Sequence, residues 1–319
     1  MVNNMMKIIF MGTPDFSVPS LKVLDDRYGV SLVVTQPDKE KGRGKKVTFP
    51  PVKEEALRRN IPVKQPVRLR NDRDLIEEMK SIAPDFIIVV AYGQILSEEI
   101  LAIPKYGCIN LHASLLPKLR GAAPLNFALI EGHKESGATT MLMDKGLDTG
   151  DMLLVRKIEL REQMNVEELH DRISEMGGEL LVETMEGLIS GSVKPQPQNH
   201  EESTYAPLID KEFQLIQWDS SSFAVHNLVR GLSPVPGAFS YLDGQKVKIL
   251  ETEVVEDPKG PGGAPGEILN VSKEGIIVAT GEGQIRILRL QYPGKKPMKV
   301  RDFLNGNTVS DKYFKRSEG

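Results

Sequence analysis

The sequence predicts an α/β protein: a doubly wound, mostly parallel sheet followed by a small antiparallel β-barrel. Three observations predict it. The first half alternates short apolar runs with segments of helical period. One of those runs, Asp85-Phe-Ile-Ile-Val-Val-Ala91, is almost wholly apolar, as a strand covered on both faces requires. Beyond about residue 205 the pattern shifts to short strand-like runs closely punctuated by Gly and Pro.

Taken in order, 7–11 reads as a buried strand, Gly12-Thr-Pro-Asp15 as a turn, and Ser17 as an N-cap for the helix that follows. The next strand is expected at 30–35, with helices at 51–60 and 72–82 and a strand at 85–91. A strand at 107–111, a helix at 124–131 and a strand at 138–143 come after. A strand at 151–160 could pair with 138–143 across the turn 144–150, and 165–190 has the period of one long amphipathic helix. Pro, Gln, Asn and Glu dominate 191–205, a linker composition. The domains expected are therefore 1–190 and 210–319, joined by a linker at 191–209. The second carries a helix at about 222–231 and strands at 238–242, 246–250, 266–271, 275–279 and 284–290.

Composition excludes several classes. With 319 residues, 40% apolar and 27% charged, the chain can bury a sizeable core. No apolar run approaches the roughly 20 residues that span a bilayer. A strand-like run begins almost at once, leaving no room for a signal peptide, so a cytoplasmic location and no membrane partner are expected. The single cysteine, Cys108, forbids an internal disulfide or a multi-Cys metal site, and its place in an apolar strand marks a buried structural thiol. The histidines show no ligand spacing, so no metal is expected. Net charge is −3, yet 283–319 holds nine basic against three acidic residues. A second basic cluster, Lys39, Lys41, Arg43, Lys45 and Lys46, interrupts the acidic first half. Charge runs of this kind are usually solvated loops, but the glycines between them also suit phosphate contact.

The chemistry-bearing segment is Gly107-Cys-Ile-Asn-Leu-His-Ala-Ser-Leu-Leu-Pro117. Asn110 and His112 sit two apart, so on a strand they share a face. An amide that donates and an imidazole that donates or moves a proton suit a reaction that builds negative charge on a carbonyl oxygen. Gly146-Leu-Asp148-Thr-Gly-Asp151 supplies a carboxylate that would orient the ring, although such a turn is usually only a turn. The first strand lacks G-x-G-x-x-G, which disfavours nicotinamide cofactors, and Gly42-Arg-Gly-Lys-Lys46 lacks the P-loop frame.

Together with Met11-Gly-Thr-Pro-Asp-Phe16, Gln36-Pro-Asp-Lys39, Ala91-Tyr-Gly93, Arg120-Gly121, Ser233-Pro-Val-Pro-Gly237 and Gln291-Tyr-Pro-Gly-Lys-Lys-Pro-Met298, these segments resemble the folate-dependent formyltransferases. Among these, the basic insert and terminal segment are most similar to the methionyl-tRNA formyltransferases. The resemblance runs through essentially the whole chain. It implies a Rossmann-like formyltransferase domain and an OB-like tRNA-binding domain. It also implies transfer of a formyl group from 10-formyltetrahydrofolate, as co-substrate, to the α-amine of methionyl initiator tRNA. By that resemblance Asn110, His112 and Asp148 are catalytic. Ser114, Leu115, Leu116 and Pro117, with Ala91, Tyr92, Gly93, Ile95, Asp144 and Gly146, hold the folate. Arg43, Lys45 and Lys46, with Lys295, Lys296, Lys299 and Arg301, contact tRNA. A monomer is expected. Many relatives have Asn-Pro-Trp-Pro-Gly where this chain has Ser233-Pro-Val-Pro-Gly237, and Lys where it has Leu208. The competing readings are a formyltransferase for an amino sugar nucleotide, which needs no cationic insert, and a non-catalytic RNA-binding protein, which would not need Asn110, His112 and Asp148 together.

Overall fold

The computed structural model describes residues 6–41, 46–256 and 262–317. Its contacts divide the chain into two compact units. The first comprises 1–121, 137–158 and 170–205; the second comprises 122–136, 159–169 and 206–319.

The first unit is built on seven strands in the order Met152–Glu159, Glu135–Leu142, Cys108–His112, Phe86–Val90, Ile8–Gly12, Leu32–Val34 and Val63–Lys64. Ile8–Gly12 pairs parallel to both neighbours, and Phe86–Val90 pairs parallel to Cys108–His112. The exception is Glu135–Leu142, which runs antiparallel to Cys108–His112 with His112 opposite Thr139. Apolar runs at Ile8–Gly12 and Phe86–Val90 are buried at every position because helices cover both faces. One face packs Ile9, Met11, Val34, Ile87 and Val89 against Leu75, Ile76 and Met79 of the helix Arg73–Ile82. That helix is capped by Asp72, whose carboxylate accepts from the Leu75 N–H at 3.1 Å.

Ser17 differs from its expected role. It precedes the helix Val18–Tyr28 but makes no side-chain cap. Its hydroxyl instead donates to the Val90 carbonyl at 2.6 Å, pinning the turn after the first strand to the neighbouring strand's end. A short 3-10 turn at Asp15–Ser17 starts the helix in its place. The long helix Val166–Ser190 comes very close to the sheet at Gly177, where any Cβ would overlap the Leu111 side chain.

In the second unit the order is Ala238–Leu242, Gln245–Val254, Gln284–Gln291, Gly275–Ala279 and Ile268–Ser272, with Met298–Lys299 paired to Gln284–Gln291. All these pairs are antiparallel. Val247, Ile249, Ile276, Val278, Ile285 and Ile287 turn inward onto Trp218, Val225 and Val229, and the helix Ser222–Leu232 plugs the concave side. The expected barrel is barrel-like but not closed, because its two outer strands do not pair with each other. A terminal run laces them instead. Tyr241 and Lys315 exchange N–H to carbonyl bonds of 2.9 and 3.0 Å, while Ile268 N–H donates to Lys312 and Phe314 N–H to Gly266, both at 2.9 Å. Nothing in the apolar pattern of 312–315 announces this, because the run borrows its conformation from the strands it joins.

Candidate active site

Cys108–His112 and Phe86–Val90 are adjacent parallel strands, so the segments after them, 113–117 and 91–95, leave the same sheet edge. Ligands of doubly wound sheets bind at that edge. Asn110 lies opposite Val89 on one side and Met141 on the other, and its side chain is half-buried. Among the described residues no group hydrogen-bonds its amide, which leaves two donors available to an incoming oxygen.

His112 is buried, and its Nε2 lies 2.9 Å from the Leu119 carbonyl oxygen. A carbonyl can only accept, so Nε2 carries the proton and donates it there. The other ring nitrogen, Nδ1, faces Asp148 Oδ2 at 3.7 Å. That is too long for a hydrogen bond, and contacts of this kind shorten in the reacting complex. Asp148 Oδ2 also accepts from the Gly121 N–H at 2.8 Å.

The sequence could not place Asp148 beside His112, because the turn carrying it begins at the far end of the strand. Met143 N–H donates to the Cys108 carbonyl at 2.9 Å, and the chain then doubles back toward His112. Asp144 holds this turn: its Oδ1 accepts from Gly146 N–H at 2.9 Å and from Thr149 Oγ1 at 2.7 Å. A Cβ at Gly146 would overlap the Thr149 hydroxyl, and one at Gly150 the Leu142 carbonyl. Asp148 itself is left-handed, with φ of 53°, a conformation that a non-glycine residue keeps only when its surroundings enforce it.

Besides Asp144 and Gly146 of that turn, the expected folate residues fall into two groups. Ser114–Pro117 is a braced loop: Ser114 Oγ donates to the Lys118 carbonyl at 2.6 Å, and its carbonyl accepts from Thr139 Oγ1 at 2.7 Å. Leu116 N–H donates to Thr139 Oγ1 at 3.2 Å, and the Leu116–Pro117 peptide is cis. Leu116 is buried, while Leu115 and Pro117 are half-buried and can present apolar surface to a flat ring. The second group is Ala91, Tyr92, Gly93 and Ile95. Ala91 and Gly93 have positive φ and are exposed, and Ile95 is 77% exposed. Tyr92 turns its ring into the apolar core, where burial pushes the phenol well above its usual range. What Tyr92 offers is backbone, and its carbonyl is already held by Thr13 Oγ1 at 3.0 Å and Gln36 Nε2 at 3.1 Å. Thr13, Gln36 and Thr139 thus brace these two segments. Sequence reasoning saw the segments of the first two as motifs without a role and missed Thr139, whose partners are far away in the chain.

Of the expected tRNA contacts, Arg43 and Lys45 lie outside the described residues. Lys46 opens the strand Lys46–Thr48, which pairs antiparallel with Lys39–Lys41, so strand flanks the insert on both sides. Lys295, Lys296, Lys299 and Arg301 are all exposed around the short strand Met298–Lys299. A further basic group went unpredicted. The Lys246 ammonium sits 3.4 Å from the centre of the Phe239 ring, and it is held below its usual range by burial, with Lys211 and Lys248 adding repulsion. Cys108 is buried, which pushes its thiol up to about 12 and makes it a poor nucleophile. Among the described residues no cluster of His, Cys, Asp and Glu is grouped to hold a metal, and no helix is long and apolar enough to cross a membrane.

The chain matches the formyl transferase family over residues 6–185 and that family's C-terminal domain over 208–308. The methionyl-tRNA formyltransferase of Clostridium perfringens (strain SM101 / Type A) is 55% identical over 304 residues, 95% of this chain and 98% of the relative. That of Clostridium tetani (strain Massachusetts / E88) is 54% identical over 305 residues, 96% and 98% of the two chains. Among solved structures, the N-formyltransferase from Helicobacter canadensis bound to folinic acid and dTDP-3-aminofucose has the same fold. It superposes with a TM-score of 0.68 at 19% identity, covering 90% of this chain and 100% of that one. HypX from Aquifex aeolicus in complex with tetrahydrofolic acid gives 0.61 at 20% identity, covering 94% of this chain and 47% of that longer one.

Proposed function

We propose how this chain works from a plain premise: it belongs to the formyl transferase family. It is a methionyl-tRNA formyltransferase in its activity, moving the formyl group of 10-formyltetrahydrofolate to the α-amine of methionyl initiator tRNA. Identity of 55% along almost the entire length of a relative with that name carries the conclusion.

The geometry supports the following roles for the residues. The attacking amine has a pKa of about 8, so part of it is neutral near pH 7. As nitrogen bonds to the formyl carbon, negative charge gathers on the formyl oxygen, and the uncommitted Asn110 amide is the donor for it. Because His112 Nε2–H donates a hydrogen bond to the Leu119 carbonyl, its reacting edge is Nδ1. Protonated there, it donates either to that oxygen or to Asp148. Asp148 steadies the ring and takes part in passing the amine's proton toward the departing N10. Ser114–Pro117, Ala91–Gly93 and the Asp144–Gly146 turn line the folate. Lys295, Lys296, Lys299 and Arg301 meet tRNA phosphates, together with Arg43, Lys45 and Lys46 from the insert. Contacts of this sort set register and make binding salt-dependent. The unit made of 1–121, 137–158 and 170–205 does the chemistry, the unit that holds 206–319 grips the tRNA, and the enzyme works as a monomer in the cytoplasm.

The test is transfer of labelled formyl from 10-formyltetrahydrofolate to methionine-charged initiator tRNA. Asn110→Ala should lower kcat by about 100- to 1000-fold, the usual loss of an oxyanion donor. Wild-type kcat in that variant would remove Asn110 from the mechanism. Transfer to an amino sugar nucleotide but not to tRNA would replace the acceptor.

A further inference from the structure

Arg120 is 1% exposed, among the largest fully buried side chains of the protein. A buried guanidinium normally faces a carboxylate. Among the described residues none is in ion-pair contact with this one. Its Nε and Nη2 instead donate to Gln198 Oε1 at 3.1 and 2.6 Å, and Nη2 lies 3.1 Å from His200 Nδ1. Gln198 is itself only 5% exposed. Its other end, Nε2, donates to the backbone carbonyls of Asp148 at 3.0 Å and Gly150 at 2.7 Å.

The neighbours of Arg120 in the chain point the same way. Leu119 supplies the carbonyl that accepts the hydrogen bond from His112 Nε2–H, and Gly121 supplies the N–H that holds the Asp148 carboxylate. Three consecutive residues therefore grip the imidazole, the carboxylate and, through Gln198, the backbone from which that carboxylate projects. The grip is needed because Asp148 sits at φ of 53°, and an unheld turn would relax away from it. The Arg120 charge polarises the Gln198 amide, which strengthens its donation at the far end.

We propose that Arg120 and Gln198 are positioning residues: the buried guanidinium orients the Gln198 amide, and that amide fixes the Asp148–Gly150 backbone so that Asp148 meets His112. The inference rests on the reading of His112 and Asp148 as the reacting pair. Arg120 and Gln198 are both buried, and the role assigned to them acts through Asp148.

Gln198→Glu separates positioning from scaffolding. It keeps the acceptor that Arg120 needs, now as a buried ion pair, and removes both N–H donors to the turn. The expected result is thermal stability near wild type, KM for both substrates little changed, and kcat down by about 100-fold, as for misplacement of a reacting group. Gln198→Met, which abolishes both ends, serves as the second variant should the first not fold. Each is combined with Asp148→Asn. If Gln198 acts through Asp148, the double variant is no slower than Asp148→Asn alone. Wild-type kcat in the Gln198 variants, or losses that multiply with Asp148→Asn, overturn the inference and leave the site reading standing. Wild-type kcat in Asp148→Asn alone brings down the site reading, and the inference with it.

Discussion

His112 and His226 are both buried, yet their partners give them opposite work. His226 uses both nitrogens structurally: Nε2 donates to the Glu162 carbonyl at 3.2 Å, and Nδ1 accepts from Thr252 Oγ1 at 3.0 Å. Burial holds its pKa below the usual value of 6.5, with Arg230 adding repulsion, and the contributions from Glu162 and Thr252 are too small to reverse this. The unfolded chain therefore takes up the proton first as pH falls. The stability tied to neutral His226 is present above pH 6.5 and is lost as pH drops through the lower folded value. Melting temperature should fall between pH 7.5 and 5.5, and less steeply in His226→Gln. Parallel melting curves in the two proteins would show that His226 is not the group responsible. His112, by contrast, keeps one nitrogen for structure and turns the other to a carboxylate, the division a reacting imidazole needs.

At the scale of elements, the turn 144–150 shows how much depends on absent side chains. Gly150→Ala would drive a methyl into the Leu142 carbonyl and should cost about 2–4 kcal/mol, with a matching fall in kcat as Asp148 is displaced. Gly244→Ala, at φ of 68° with open space around it, is the control and should cost only about 1 kcal/mol. Denaturant unfolding of the two variants checks the contrast, and equal losses would mean that crowding at Gly150 is irrelevant. Elements held by their own apolar pattern were legible in the sequence: Ile8–Gly12, Phe86–Val90 and Val166–Ser190 lie where the period put them. Asn110 and His112 were legible as a pair because strand spacing alone gives them a common face. The terminal lacing at 312–315 and the brace from Thr139 were not. Each exists only through partners distant in the chain, and a local pattern cannot name them. Gln198 is the same case in sharper form, since an amide in a polar linker gives no hint that it is buried.

For the whole molecule, the notable fact is that the second unit recruits two early segments, 122–136 and 159–169. The helix Pro124–Ile130 packs on Ser222–Leu232, where Asn126 Nδ2 donates to the Gly231 carbonyl at 2.7 Å, and a Cβ at Gly231 would collide with Ile130. Arg230 reaches the Arg161 carbonyl at 3.1 Å. Cutting the chain after residue 205 therefore does more than remove the strands of the second unit. A fragment of residues 1–205 should elute as aggregate in size exclusion and lack a cooperative melt. A monomeric fragment that melts cooperatively would mean that the recruited segments need no partner.

The same arrangement bears on how the protein is born. Pro124–Ile130 leaves the ribosome about 100 residues before Ser222–Leu232 does. At roughly 5–20 residues per second it waits for about 5–20 s with its buried face, Phe127, Ala128 and Leu129, uncovered. The nascent chain thus carries an apolar handle through about a third of its synthesis, a natural landing site for a chaperone until the last third of the polypeptide arrives.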